Sequence, residues 1–197
     1  MTKKATISLF VIPGFKEKVQ HKQYRLLKQT FSKKGFQVEM VPIHWDRRVM
    51  TEWVTEFEQF FAKYRGVKNY VLGFSYGAMI ALASAKRVHP DKLFLCSLSP
   101  YFNEDLPKIP VRWKKFIGKR RVQDFKKFRV AEITKETKIP TTVFLGEVEA
   151  KKFSTLEYRC RETAKHLKAS LITIPGAPHD IGNAHYQQAL DTHIAPR

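Results

Sequence analysis

Cysteine is scarce in this sequence: Cys96 and Cys160 are its only two in 197 residues. Two thiols are too few for a disulfide framework or a cysteine-built zinc site. Acidic residues are few as well, 18 Asp and Glu against 36 Lys and Arg, which leaves a formal net charge of +18. A surface of that sign suits anionic partners such as nucleic acid, acidic lipid or phosphorylated substrates, but it carries no information about fold. No run approaches the roughly 18 consecutive apolar residues of a membrane-spanning helix. The charged start Met1-Thr2-Lys3-Lys4 leads into a short apolar segment with no small-residue cleavage site, so it reads as a first strand rather than a signal peptide. The expected location is the cytoplasm. Repeats, low-complexity tracts and linkers are lacking too, so residues 1–197 read as one domain.

What is present is ordinary globular usage, 43% hydrophobic and 27% charged, which excludes a disordered chain. Six short runs are rich in β-branched and aromatic residues: Ala5–Ile12, Phe36–Ile43, Asn69–Phe74, Lys92–Ser99, Thr141–Leu145 and Ser170–Ile174. Most are nearly continuously apolar, the pattern of strands buried on both faces in a parallel sheet. Helical segments separate them, which predicts a layered α/β domain. Val49, Trp53, Phe57, Phe60, Phe61 and Tyr64 recur at spacings of three and four and predict one helix with an aromatic face. Leu26, Leu27 and Phe31 do the same for a helix starting near Lys18. The small residues 77–85 suit a central, closely packed helix. Phe153–Leu167 and Tyr186–Ile194 predict two more. The segment from Pro100 to Lys138 has no strand pattern. It reads as a small helical insertion, with ten Lys and Arg and one acidic residue between Leu106 and Val130.

Gly73-Phe74-Ser75-Tyr76-Gly77 fits G-x-S-x-G between the third strand run and the small-residue helix. A strand–turn–helix with serine at its apex is a nucleophile elbow. Such a serine needs a base. Of seven histidines, His179 stands in a Pro- and Gly-containing loop after the last strand, where it can lean over the same sheet edge. The base in turn needs a carboxylate to fix its tautomer. The fifth strand ends in Gly146-Glu147-Val148-Glu149, where spacing from the glycine favours Glu149 and leaves Glu147 as the alternative. Backbone N–H groups of Tyr76 and of Phe15, in the loop Pro13-Gly14-Phe15-Lys16, are the expected oxyanion donors. Tyr101, Trp113 and Phe116 of the insertion are candidate pocket residues, and its basic residues could meet an anionic substrate group. Cys96 reads as a core residue and Cys160 as half exposed.

These residues resemble the α/β-hydrolase superfamily, and in particular a compact, carboxylesterase-like serine hydrolase. The order Ser75, Glu149, His179 matches the nucleophile–acid–histidine order of that superfamily. The resemblance implies a three-layer α/β/α sandwich with a mostly parallel six-stranded sheet in order 2-1-3-4-5-6. The usual N-terminal hairpin would be missing and a cap would lie at about residues 100–138. It further implies hydrolysis of an ester, thioester or amide of a small acyl substrate through an acyl-enzyme, with no metal or organic cofactor. Three departures stand out: Ile12-Pro13 replaces the His-Gly of many members, the acid is glutamate, and no acid directly follows the fourth strand. A thioesterase or peptidase on the same residues is the nearest alternative. A non-catalytic binding protein on the same scaffold is another, although no nucleic-acid motif supports it.

Overall fold

The structure, a computed structural model, describes residues 7–196. The charged start at residues 1–4 and the first two residues of the expected first strand, Ala5 and Thr6, lie outside the described residues. In chain order the elements are β1 (Ile7–Ile12), α1 (Lys22–Lys33), β2 (Phe36–Met40), α2 (Met50–Tyr64), β3 (Lys68–Phe74) and α3 (Tyr76–Val88). There follow β4 (Lys92–Cys96), a 3-10 turn (Leu106–Lys108), and the short helices α4 (Val111–Ile117), α5 (Lys119–Phe125) and α6 (Val130–Glu136). The chain then runs through β5 (Thr141–Gly146), α7 (Glu147–Lys152), α8 (Ser154–Leu167), β6 (Ser170–Ile174) and α9 (Ala184–His193).

The six strands form one sheet in the order β2-β1-β3-β4-β5-β6, and every neighbouring pair is parallel. A parallel sheet must cover both faces, and two separate cores do so. On one face Tyr24, Leu27 and Phe31 of α1 and Tyr186 and Leu190 of α9 pack against Leu9, Val11, Leu72 and Phe144. On the other, α2, α3 and α8 bury Trp53, Phe57, Met79, Ile80 and Cys160 against Phe10, Val71, Leu95 and Val143. Alternate residues of each strand thus feed opposite layers. The insertion between β4 and β5 joins the second core through Ile109, Ile117, Phe125 and Val130.

The register decides where the chemistry can sit. Ile12 pairs with Gly73, Phe74 with Cys96, and Cys96 with Phe144. The carboxyl ends of β1, β3, β4 and β5 therefore come level, and the loops leaving them share one rim, the usual ligand edge of an open α/β sheet.

Four local expectations change. Leu26 faces solvent, and Tyr24 takes its place in the core, because α1 begins at Lys22 and its buried stripe runs 24-27-31. Gly146 closes β5 and Glu147–Glu149 open a helix, α7, rather than ending the fifth strand. As an edge strand with one neighbour, β6 is only partly buried. Cys160 is fully buried, since its position on α8 faces the sheet.

Candidate active site

Ser75 links β3 to α3 with φ 57° and ψ −115°, a backbone conformation that side-chain-bearing residues rarely hold and that costs about 1–3 kcal/mol. Its flanking glycines make the turn possible. A Cβ on Gly73 would sit 2.2 Å from the Gly77 carbonyl oxygen, and one on Gly77 would sit 2.3 Å from that of Ile12. The Ser75 amide donates to the Cys96 carbonyl at 2.8 Å, which pins the turn to β4. The result is a buried serine at the N-terminus of α3, aimed at the loops beyond the sheet rim.

His179 comes from the loop between β6 and α9. Its Nε2 lies 3.1 Å from Ser75 Oγ, and its Nδ1 lies 2.5 Å from Glu149 Oε2. The Phe74 ring packs on the imidazole at 5.0 Å between centroids and fixes its plane. Glu149 is buried in the first turn of α7. Its Oε1 accepts from the Gly146 N–H and from Ser97 Oγ, both at 2.6 Å. Tyr186 O–H lies 2.8 Å from Ser97 Oγ. Because the serine proton goes to the carboxylate, the phenol must donate to the serine. Burial, with the Glu149 carboxylate nearby adding to it, holds the Tyr186 phenol well above its ordinary pKa, so it stays a donor.

Glu147, the alternative acid, points elsewhere. Its carboxylate pairs with Lys151 at 2.7 Å and accepts from the Gly176 N–H at 3.0 Å. The Lys151 hydrogen bond, helped by Gly176, lowers its pKa. Two positions in a helical turn separate the glutamates by more than half the circle, so only one of them can face His179.

The loop carrying Phe15 is held from three sides. Glu17 Oε2 accepts from the Gly14 N–H at 2.8 Å and from the Tyr24 phenol, and Trp45 Nε1 donates to the Glu17 carbonyl at 3.1 Å. The Phe15 ring stacks on Tyr76 with centroids 4.9 Å apart, so the two candidate donor residues lie side by side. Arg121 of the insertion covers the Phe15 ring at 5.1 Å and donates to the Trp45 and Arg48 carbonyls.

A cavity of about 720 Å³ opens on Ser75 and His179. Tyr101 and Trp113 line it, whereas Phe116 does not. Phe116 sits one helical turn beyond Trp113, meets it edge to face at 5.9 Å, and is 66% exposed. Sequence reasoning missed Ser99, whose Oγ is 3.0 Å from that of Ser75, and Ser97 beneath Glu149. A serine at a strand's end has no sequence signature, and only the β3–β4 register would have pointed to it. Among the described residues no group of three or more His, Cys, Asp or Glu is placed to hold a metal ion, and no helix is long and apolar enough to cross a membrane.

A strand–serine–helix elbow on a parallel sheet of this order, with an acid and a histidine after later strands, defines the α/β-hydrolase fold, and this chain has it. Solved structures agree. Est1E from Butyrivibrio proteoclasticus, solved with ferulic acid, superposes with a TM-score of 0.80 at 14% identity, covering 97% of this chain and 87% of that one. The Pyrococcus furiosus esterase Pf2001 gives 0.69 at 15% identity, over 95% and 79%. MenH from S. aureus gives 0.69 at 15%, over 97% and 92%. No family model and no curated protein matches the sequence.

Proposed function

We propose that this protein is a serine hydrolase that cleaves a carboxylic ester or thioester through an acyl-enzyme on Ser75. The observation that carries the reading is the unbroken relay from Ser75 Oγ through both nitrogens of His179 to Glu149, at 3.1 and 2.5 Å. As His179 Nε2 takes the Ser75 proton, Oγ attacks the acyl carbonyl carbon. Glu149 accepts from Nδ1–H, which keeps Nε2 unprotonated beforehand and stabilises the imidazolium afterwards. The Phe15 and Tyr76 amides receive the developing oxyanion. Collapse breaks the bond to the leaving group, which departs as alcohol or thiol with the proton from Nε2. Water then attacks the acyl carbon as Nε2 takes its proton, the bond to Ser75 Oγ breaks, the proton passes from Nε2 back to Oγ, and the acid leaves.

Residues 100–138 act as a cap in this reading, because Tyr101, Ile109 and Trp113 from that segment wall the cavity in front of the serine. The esterase neighbours are consistent with an ester as the bond cleaved, and the cavity size with a small-molecule substrate. A fluorophosphonate probe tests the assignment. It should label the wild type and spare Ser75→Ala, with para-nitrophenyl ester turnover lost in parallel; equal labelling of both proteins refutes it.

A further inference from the structure

The cavity before Ser75 has no carboxylate in its lining but two cations, Arg112 from α4 and Lys152 from the end of α7. They reach it from two sides, the insertion and the α7–α8 junction. Three cations near the α7–α8 junction are matched: Lys151 pairs with Glu147 at 2.7 Å, Arg161 with Glu157 at 2.9 Å, and Arg159 with Asp105. Among the described residues neither Arg112 nor Lys152 forms an ion pair, and the Lys152 ammonium stands 5.4 Å from the Phe153 ring centroid. Apolar side chains, Ile109, Trp113, Phe153 and Leu156, complete the walls. Both cations are solvent-exposed at the cavity mouth, so their pull on an anion adds to the field of a strongly cationic surface and weakens with salt.

We infer that Arg112 and Lys152 form an anion-binding subsite of this cavity, and that the substrate is an amphiphile with an apolar body and one carboxylate or phosphate. What is cleaved rests on the hydrolase reading above, whereas the anion subsite does not require Ser75 to react. Binding and turnover therefore test it separately.

Calorimetry on Ser75→Ala compares phenylbutyrate and phenylpropyl phosphate with the neutral phenylbutanol. At least one anion should bind about tenfold tighter at low salt, with the gap closing as salt rises. The double variant R112Q/K152Q should abolish the gap, and K115Q/K119Q, which removes two cations of the insertion outside the cavity lining, should keep it. For turnover, the kcat/KM ratio of the para-nitrophenyl monoester of adipic acid to para-nitrophenyl hexanoate should exceed about ten and fall to about one in R112Q/K152Q. Equal binding of acids and alcohol overturns the inference, even if both esters are cleaved. So does a preference that survives R112Q/K152Q, or one lost equally in K115Q/K119Q. An anion preference in binding without turnover of either ester upholds the subsite and sinks the hydrolase reading instead.

Discussion

Ser97 Oγ donates to Glu149 Oε1 across 2.6 Å, and among the described residues that oxygen's hydrogen bonds come from Ser97 and the Gly146 amide. The other oxygen is thereby left to His179. The carboxylate is aimed before any substrate arrives, from a helix turn and not from a mobile loop.

Glu149→Gln puts an amide where His179 needs an acceptor only, so an N–H can face Nδ1 and select the wrong tautomer. The expected loss in kcat is about 10³–10⁴-fold. Glu147→Gln, which breaks only an exposed pair with Lys151, should stay within about twofold. Ester kinetics on the two variants side by side check the choice of acid.

Gly77→Ala should destabilise the protein by about 3 kcal/mol or more, because its Cβ would meet the Ile12 and Pro13 carbonyl oxygens at 2.3 and 2.5 Å, both backbone atoms. Gly35→Ala has open space around it and only a positive φ to accommodate, so about 1 kcal/mol is expected. Urea midpoints at constant slope distinguish the two.

Asp105 and Arg159 form a buried bidentate pair that ties the start of the insertion to α8. Burial raises the Asp105 carboxyl even with Arg159 working against it. Arg159→Met removes the counter-charge and should cost about 3–5 kcal/mol at neutral pH. A carboxyl whose folded pKa lies above its unfolded one gives stability at low pH and loses it as pH rises through the folded value. The deficit of the variant should therefore shrink toward acid, which denaturant midpoints from pH 4 to 8 will show.

Tyr24, Tyr76 and Tyr186 are three of the seven tyrosines, and burial holds each phenol well above its ordinary pKa. Their stabilising contribution is complete below the unfolded pKa of about 10 and is lost as pH climbs from there toward the folded values. Above pH 10 the three together should steepen the fall in stability by about 4 kcal/mol per pH unit. Tyrosinate absorbance should show them ionising only as the protein unfolds, and Tyr186→Phe should flatten the slope.

The strands were legible because a doubly covered parallel strand writes itself as an unbroken apolar run, and the elbow because its glycines are forced by backbone approach. Ser75, His179 and Glu149 followed from the ends of those strands. Helix α7 was not legible although Glu-Val-Glu-Ala-Lys-Lys is rich in helix formers, because six residues are too few to show a helical period. Phe116 was misjudged for a different reason: aromatic type marks a pocket residue, but Phe116 stands a helical turn farther along α4 than Trp113, on the same side of the helix and past the cavity wall. Ser97 and Ser99 depend on register, which no local pattern encodes.

The alignment of four strand ends along one rim has a consequence for synthesis. The members of the relay lie 104 and 30 residues apart in the chain, and the histidine is borne on the last loop to follow a strand. A nascent chain still short of residue 179 carries the hydroxyl and the acid without the imidazole between them. On the proposed mechanism the nascent polypeptide therefore stays inactive until the loop after β6 is in place, and a fragment cut before that loop inherits the same silence.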